Sequence, residues 1–223
     1  MKNSKLRRIL MLLACAVLLV CLSVGATLAY LSAQTEYVKN TFVAGEGIEI
    51  DLLEGDVYED GEADTTDTNF GTHRPGYDVY ENRVKINNYK LVPGWEYDKD
   101  PIVYVKAKSG NCYIFVKVVN ELSDLEEEDV ATIADQITAN GWIQLKDKDG
   151  NDVTNVYYYK DEVNTSEALQ QFPVFQKFTT EDSLTSVTAY DGKTITVDAY
   201  AIQSDGFADA AAAWTAQAAV WQN

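Results

Sequence analysis

The sequence predicts an all-β protein, an antiparallel β-sandwich that carries one or two helical excursions. Short segments in which apolar and polar residues alternate recur along the chain, and turn residues separate them at close spacing. Only two segments have the spacing or the composition of a helix. No tandem repeat with a period of about 20 to 50 residues is visible, which disfavours a solenoid or a propeller.

Residues 1–29 have the pattern of an export signal. An uncharged apolar run over residues 9–22 follows a basic start formed by Lys2, Lys5, Arg7 and Arg8. Small residues before the cut predict cleavage between Ala29 and Tyr30, with residues 24–26 as the reserve site. An uncleaved anchor is the alternative, because residues 9–29 reach the length of about 20 that spans a bilayer.

The chain is strongly acidic, with 18 basic and 35 acidic residues and a net charge of −17. Because four of the basic residues lie in the signal, the 194-residue mature segment 30–223 would carry a net charge of −21. Its length suits one domain, and its charge disfavours nucleic acid and anionic membrane as partners. Solubility outside the cell and cation binding both remain open as reasons for the acidity.

Only one cysteine, Cys112, remains after signal removal, so the mature protein has no intramolecular disulfide. Cys112 lies in a strand-like run, where a cysteine behaves as a small buried hydrophobic residue more often than as a reactive thiol.

The N-terminal segment 30–45 is predicted to begin with a strand. Leu31, Ala33, Thr35 and Tyr37 alternate with polar residues and would share one face. Residues 40–53 continue the alternation as a core strand, with Gly45 and Gly47 at a bend.

The remaining residues, 46–223, form the predicted sandwich domain. Residues 54–76 are rich in Asp and Glu and poor in large aliphatic residues, which predicts an acidic surface loop, called the acidic segment below. Strands are expected at 77–91, 172–178, 186–190 and 194–202. Two hairpins are expected, at 101–107 with 112–119 and at 142–145 with 153–159. Ser123 opens a capping box before a helical pattern that Asn140 and Gly141 end, and the alanine-rich residues 207–219 predict a closing helix.

Three motifs near the N-terminus, GATLAYLS, NTFVAG and IEIDL, resemble the opening of the TasA and camelysin family. The family opening is matched at Gly25, Thr27, Ala29, Ser32, Asn40, Phe42, Ala44, Gly45 and Asp51, whereas Leu31 and Ala33 depart from it. The resemblance covers residues 23–53 and implies a jelly roll, processing by a SipW-type signal peptidase, and secretion to the extracellular matrix or cell surface. It also implies self-association into biofilm fibres.

Residues 30–40 have the features of a donor strand that adds to the sheet edge of the next subunit. They alternate in polarity, lie at a terminus, and precede Gly45 and Gly47, which would let the chain swing away. Leu31, Ala33, Thr35 and Tyr37 would fill alternate pockets. The alternative is that the same strand folds into its own sheet.

The camelysin resemblance also implies metalloprotease activity, which the residues do not support. The sole histidine, His73, lies in a loop without an H-E-x-x-H helix, so we expect neither catalytic residues nor a metal site. Nucleophile elbows, P-loops and dinucleotide fingerprints are absent from the sequence. A secreted metalloprotease and a monomeric cell-surface adhesin remain the alternative functions.

Two further patterns have a structural and a functional interpretation. Asp147, Asp149 and Asn151 alternate like the start of a calcium loop, but Asp152 stands where glycine is needed, so a turn is favoured. The acidic segment leaves weak calcium binding open. Residues 157–159, three tyrosines, could bind sugar, although alternation favours packing for at least one ring.

Overall fold

A computed structural model of the protein describes residues 32–34, 47–58 and 71–221. Two short α-helices, α1 (Ile133–Ala139) and α2 (Ala210–Trp221), accompany ten strands in these ranges. The strands are β1 (Ser32–Gln34), β2 (Ile50–Leu53), β3 (Glu96–Asp98), β4 (Ile102–Val105), β5 (Cys112–Asn120), β6 (Trp142–Lys146), β7 (Asp152–Tyr159), β8 (Gln170–Pro173), β9 (Lys177–Thr179) and β10 (Ile195–Gln203). Single 3₁₀ turns occur at Tyr80–Asn82, Ser123–Leu125 and Thr188–Tyr190.

The strands form three antiparallel sheets. The five-stranded sheet has the order β1-β10-β5-β7-β6, the three-stranded sheet the order β2-β4-β8, and β3 pairs with β9. The prediction of an all-β antiparallel sandwich with helical excursions is therefore confirmed. Within the described ranges, no helix is both long enough and apolar enough to cross a membrane.

The inner core lies between the five-stranded and the three-stranded sheets. Alternate residues of β5 (Ile114, Val116, Val118) and β10 (Ala199, Ala201) pack with Ile50 of β2 and with Val103 and Val105 of β4. Because side chains alternate along a strand, the residues between them point to the opposite face of the sheet. Burial of this layer is the main stabilising contribution to the fold.

A second, outer cluster covers the other face of the five-stranded sheet. Phe115, Tyr200 and Ile202 pack there against Ala210 and Ala213 of α2. The Asp209 carboxylate accepts a hydrogen bond from the Ala212 N–H at 2.8 Å, which caps the start of this helix. The predicted closing helix is thus confirmed, although it runs from Ala210 to Trp221.

The predicted hairpin of residues 101–107 and 112–119 is wrong. Strand β4 pairs with β2 and β8, whereas β5 pairs with β10 and β7 in the other sheet. The connection crosses between the sheets, and two of its N–H groups bond to other segments: Lys108 N–H donates to Ser166 O at 2.7 Å and Gly110 N–H to Gly47 O at 3.1 Å. The hairpin of β6 and β7 is confirmed.

The predicted helix after Ser123 is present only in its second half. Helix α1 begins at Ile133, and Thr132 with Asp135 forms its capping box. Upstream, Glu126 makes an isolated β-bridge with Thr180, which excludes a helical conformation there. Its carboxylate also accepts a hydrogen bond from the Ile133 N–H at 2.6 Å, so the earlier segment supports the helix start from outside.

Three other predicted strands differ from the structure. Residues 77–91 contain a 3₁₀ turn and an isolated bridge between Val84 and Glu54. Residues 172–178 divide between β8 and β9, which belong to different sheets, and residues 186–190 contain a 3₁₀ turn. The strand predicted at 194–202 is confirmed as β10.

Candidate functional site

The two ends of the acidic segment are built into the domain. Val57 is fully buried, and it bridges to His73 across the segment. Tyr58 N–H donates to Thr72 O at 3.0 Å, and Arg74 N–H donates to Asp56 O at 2.8 Å. The prediction of a surface loop over 54–76 is therefore wrong at Glu54, Gly55, Val57 and Gly71, which are buried. Residues 59–70 lie outside the described part of the chain.

Asp100 is the centre of an ionic network beneath these two ends. Its carboxylate accepts a hydrogen bond from Gly55 N–H at 2.8 Å and forms an ion pair with the Arg83 guanidinium. The Arg83 side chain is only 2% exposed and also donates to the Asp100 carbonyl at 2.7 Å. Burial alone would raise the pKa of Asp100, but His73, Arg83 and the Gly55 N–H together hold it below its ordinary value.

His73 lies among three carboxylates. Its Nε2 is 3.1 Å from Asp100 Oδ1, an off-axis contact that is electrostatic rather than a well-aligned hydrogen bond. Its Nδ1 is 3.3 Å from Asp78 Oδ1 and 3.8 Å from Asp98 Oδ2. The contact with Asp100 raises the pKa of His73 above its ordinary value, against the opposing effect of burial. We call these four residues and Arg83 the Asp100 network.

Further ion pairs surround the Asp100 network. Lys99 Nζ lies 2.9 Å from Glu54 Oε2, with both side chains largely buried, and Arg74 lies 3.4 Å from Asp56. Two acidic residues of the acidic segment are thus paired with cations of the protein itself. The weak calcium binding left open by the sequence stays a prediction for this segment.

The calcium-like pattern at Asp147 forms a turn. Asp147 Oδ1 accepts hydrogen bonds at 2.9 Å from the N–H groups of Asp149 and Asn151, between β6 and β7. These bonds lower the pKa of Asp147, the Asn151 N–H being the largest cause. The turn interpretation is confirmed. Over the residues that the structure describes, no group of three or more His, Cys, Asp or Glu side chains is arranged to hold a metal ion.

The N-terminal site residues fall mostly outside the described ranges. This applies to the cleavage pair Ala29 and Tyr30 and to Leu31, Thr35 and Tyr37 of the donor-strand prediction, all of which stay predictions. Ala33 lies in β1, opposite Ala201 of β10. β1 is an edge strand of the five-stranded sheet.

The three consecutive tyrosines divide between the two faces of the sheet. Tyr157 and Tyr159 pack against the inner core, and Tyr158 packs against the outer cluster. The packing interpretation of these residues is confirmed.

Cys112 is fully buried in the inner core, and burial raises the pKa of its thiol to about 12. We predict that the native mature protein does not react with a thiol reagent at pH 8, because the thiolate is the reactive form. The same protein in denaturant should give one thiol per chain. A colorimetric thiol assay measures both, with Cys112→Ala as the blank, and full labelling of the native protein would contradict the prediction.

Sequence reasoning missed the partners of His73. Asp98 and Asp100 flank Lys99 at the end of β3, and this charged triplet before Pro101 is the only local signal they offer. Nothing in the sequence around Arg83 marks it as buried.

Comparison of the chain with protein-family models, with curated proteins and with solved structures finds no match.

Proposed function

We propose that this protein is a secreted structural protein that assembles into extracellular matrix fibres by donating its N-terminal strand to a neighbouring copy. The observation that carries the proposal is the position of Ser32–Gln34 at the edge of the five-stranded sheet, where β10 is its one partner among the described residues. The resemblance of residues 23–53 to secreted fibre proteins of the TasA and camelysin family supports it.

The register of β1 fits exchange between copies. Ala33 lies opposite Ala201, whose side chain belongs to the inner core. If the same segment of another copy paired with β10 in this register, it would form the same backbone hydrogen bonds. Such a head-to-tail contact generates an open filament when the rotation between copies does not close into a ring.

The connection between β1 and β2 is long enough for exchange. Residues 35–49 separate Gln34 from Ile50, and the two strands belong to different sheets. Fifteen residues span at most about 50 Å when extended. A domain of this size has a radius of gyration of about 16 Å, so the strand of one copy can reach the edge of the next.

The test compares two charge substitutions in the mature protein at physiological salt. Ala33→Asp would introduce a carboxylate at the position paired with Ala201 and should abolish fibres seen by negative-stain microscopy. Thr154→Asp, the same charge at an exposed position of β7 in the same sheet, serves as the matched control that still assembles. Removal of residues 30–40 should leave a folded monomer.

Several outcomes would overturn the proposal. They are fibres formed by Ala33→Asp or by the truncated protein, and unfolding of the truncated protein, which would make the strand part of its own domain. Monomers of the unmodified protein with chelator-sensitive casein cleavage would favour the protease alternative. Inactive monomers that bind polysaccharide would favour the adhesin alternative.

A further inference from the structure

Both ring nitrogens of His73 face carboxylates. Nε2 lies 3.1 Å from Asp100, and Nδ1 lies 3.3 Å from Asp78. A neutral imidazole carries one N–H and one lone pair, whereas the imidazolium carries an N–H on both nitrogens and a positive charge. The contacts with Asp100 and Asp78 are electrostatic rather than aligned hydrogen bonds, and carboxylates on both sides of the ring stabilise its charged form.

The charged groups around the ring lie on several segments of the chain. The ring lies against Gly55, where an added Cβ would come within 2.7 Å of His73 Cδ2. Apart from Asp78 on the ring's own segment, the charged groups are Glu96 and Asp98 of β3, Lys99 and Asp100 after it, Lys177 of β9, Glu54 and Asp56 beside Gly55, and Arg74 and Arg83. Lys99 pairs with Glu54, Arg74 with Asp56, Arg83 with Asp100, and Lys177 with Glu96 and, at 3.8 Å, with Asp98. His73 is therefore the cation beside Asp78.

We propose that protonated His73 is a pH-sensitive latch that holds residues 71–74, the return of the acidic segment, against Gly55 and the corner at residues 98–100. Loss of the ring proton opens this latch while the rest of the domain stays folded. The hydrogen bonds that open with it are Tyr58 N–H to Thr72 O, Arg74 N–H to Asp56 O and Asp98 N–H to Gly71 O. Arg83 remains paired with Asp100 in the open state, which confines the change to the contacts of residues 71–74.

The direction of the pH dependence follows from the charge. The pKa of His73 is raised in the folded protein, chiefly by Asp100. The latch is therefore fully closed below the ordinary histidine pKa of about 6.5 and opens as the pH rises through the higher folded value. Acidic surroundings close it, and alkaline surroundings open it.

The test uses the unmodified mature protein, whose single histidine gives one ring signal in NMR. The ring should titrate above the ordinary histidine value of about 6.5. Hydrogen exchange at Tyr58, Arg74 and Asp98, corrected for its intrinsic pH dependence, should become several-fold faster between pH 6 and 8.5. His73→Gln should remove this pH dependence.

A second variant keeps the proposal testable if His73→Gln does not fold. Asp78 is 71% exposed, so Asp78→Asn should fold, lower the pKa of His73 and open the latch at a lower pH. Glu167→Gln, at a carboxylate that is 86% exposed and paired with Lys108, is the matched control with no effect. A ring that titrates at or below its ordinary value, unchanged pH dependence in His73→Gln, or unchanged titration in Asp78→Asn would overturn the latch.

Discussion

Replacing Arg83 by methionine should lower the free energy of unfolding by about 3–5 kcal/mol, the cost of breaking one half of a buried ion pair. The Arg83 side chain is 2% exposed, and its guanidinium contacts both the carboxylate and the carbonyl of Asp100. Methionine fills much of the same volume as arginine. It leaves the Asp100 carboxylate charged but removes the guanidinium that pairs with it. Chemical denaturation of the mature protein at pH 7 measures the difference.

Arg74→Met is the matched control for this substitution. Arg74 also pairs with an aspartate, Asp56, but its side chain is 40% exposed. Water screens such a pair, so this change should cost no more than about 1 kcal/mol. Equal losses in the two variants would contradict the assignment of Arg83 as the buried partner.

The pH dependence of the Arg83→Met variant gives a second check. Because the pKa of Asp100 is lowered in the folded protein, its stabilising contribution is present above the ordinary value and is lost as the pH falls through the folded value. The difference in the free energy of unfolding between the unmodified protein and Arg83→Met should therefore become smaller as the pH falls. A difference that grew as the pH fell would contradict the role of the charged carboxylate.

Local patterns predicted the long strands of this protein because each face of such a strand packs against a different hydrophobic cluster. In β10, Ala199 and Ala201 face the inner core, and Tyr200 and Ile202 face the outer cluster. The turn between β6 and β7 was predictable because Asp147 forms its hydrogen bonds within the turn itself. In both cases the information lies within a few residues.

The connection between β4 and β5 was not predictable for the opposite reason. A turn sequence with Gly110 and Asn111 suits a hairpin, but Gly110 bonds to Gly47 and Ser109 bonds to Glu49, 60 residues away. Which strands pair is decided by such distant contacts. A hairpin and a crossing between sheets therefore have similar local sequences.

The Asp100 network could not be predicted from the sequence either, because its members are far apart along the chain. Composition predicts that the acidic segment stays on the surface, because charges without partners cannot be buried. Glu54 is nevertheless buried, since Lys99 supplies its countercharge from 45 residues along the chain. His73 looked like an ordinary loop residue because two of its carboxylate partners, Asp98 and Asp100, belong to another segment.

Replacing Gln217 by methionine should raise the free energy of unfolding by about 1–3 kcal/mol, the cost of a buried polar group without a partner. Gln217 lies in α2 and is fully buried, and neither its Nε2 nor its Oε1 has a hydrogen-bond partner among the described residues. Methionine has a similar length and no amide to desolvate, and it is a good helix former. Thermal and chemical denaturation measure the gain.

Two control variants separate the loss of the amide from a general effect on the helix. Ala216→Met, at the exposed neighbouring position, should change stability by less than about 0.5 kcal/mol. Gln217→Glu should destabilise the protein, because it would bury a charge at a position where even a neutral amide lacks partners. If Gln217→Met were instead destabilising, the amide would have to be bonded, for example by a buried water, and the outer cluster would depend on that bond. If only Gln217→Met raises the free energy of unfolding, the buried amide of Gln217 destabilises the packing of α2 on the five-stranded sheet.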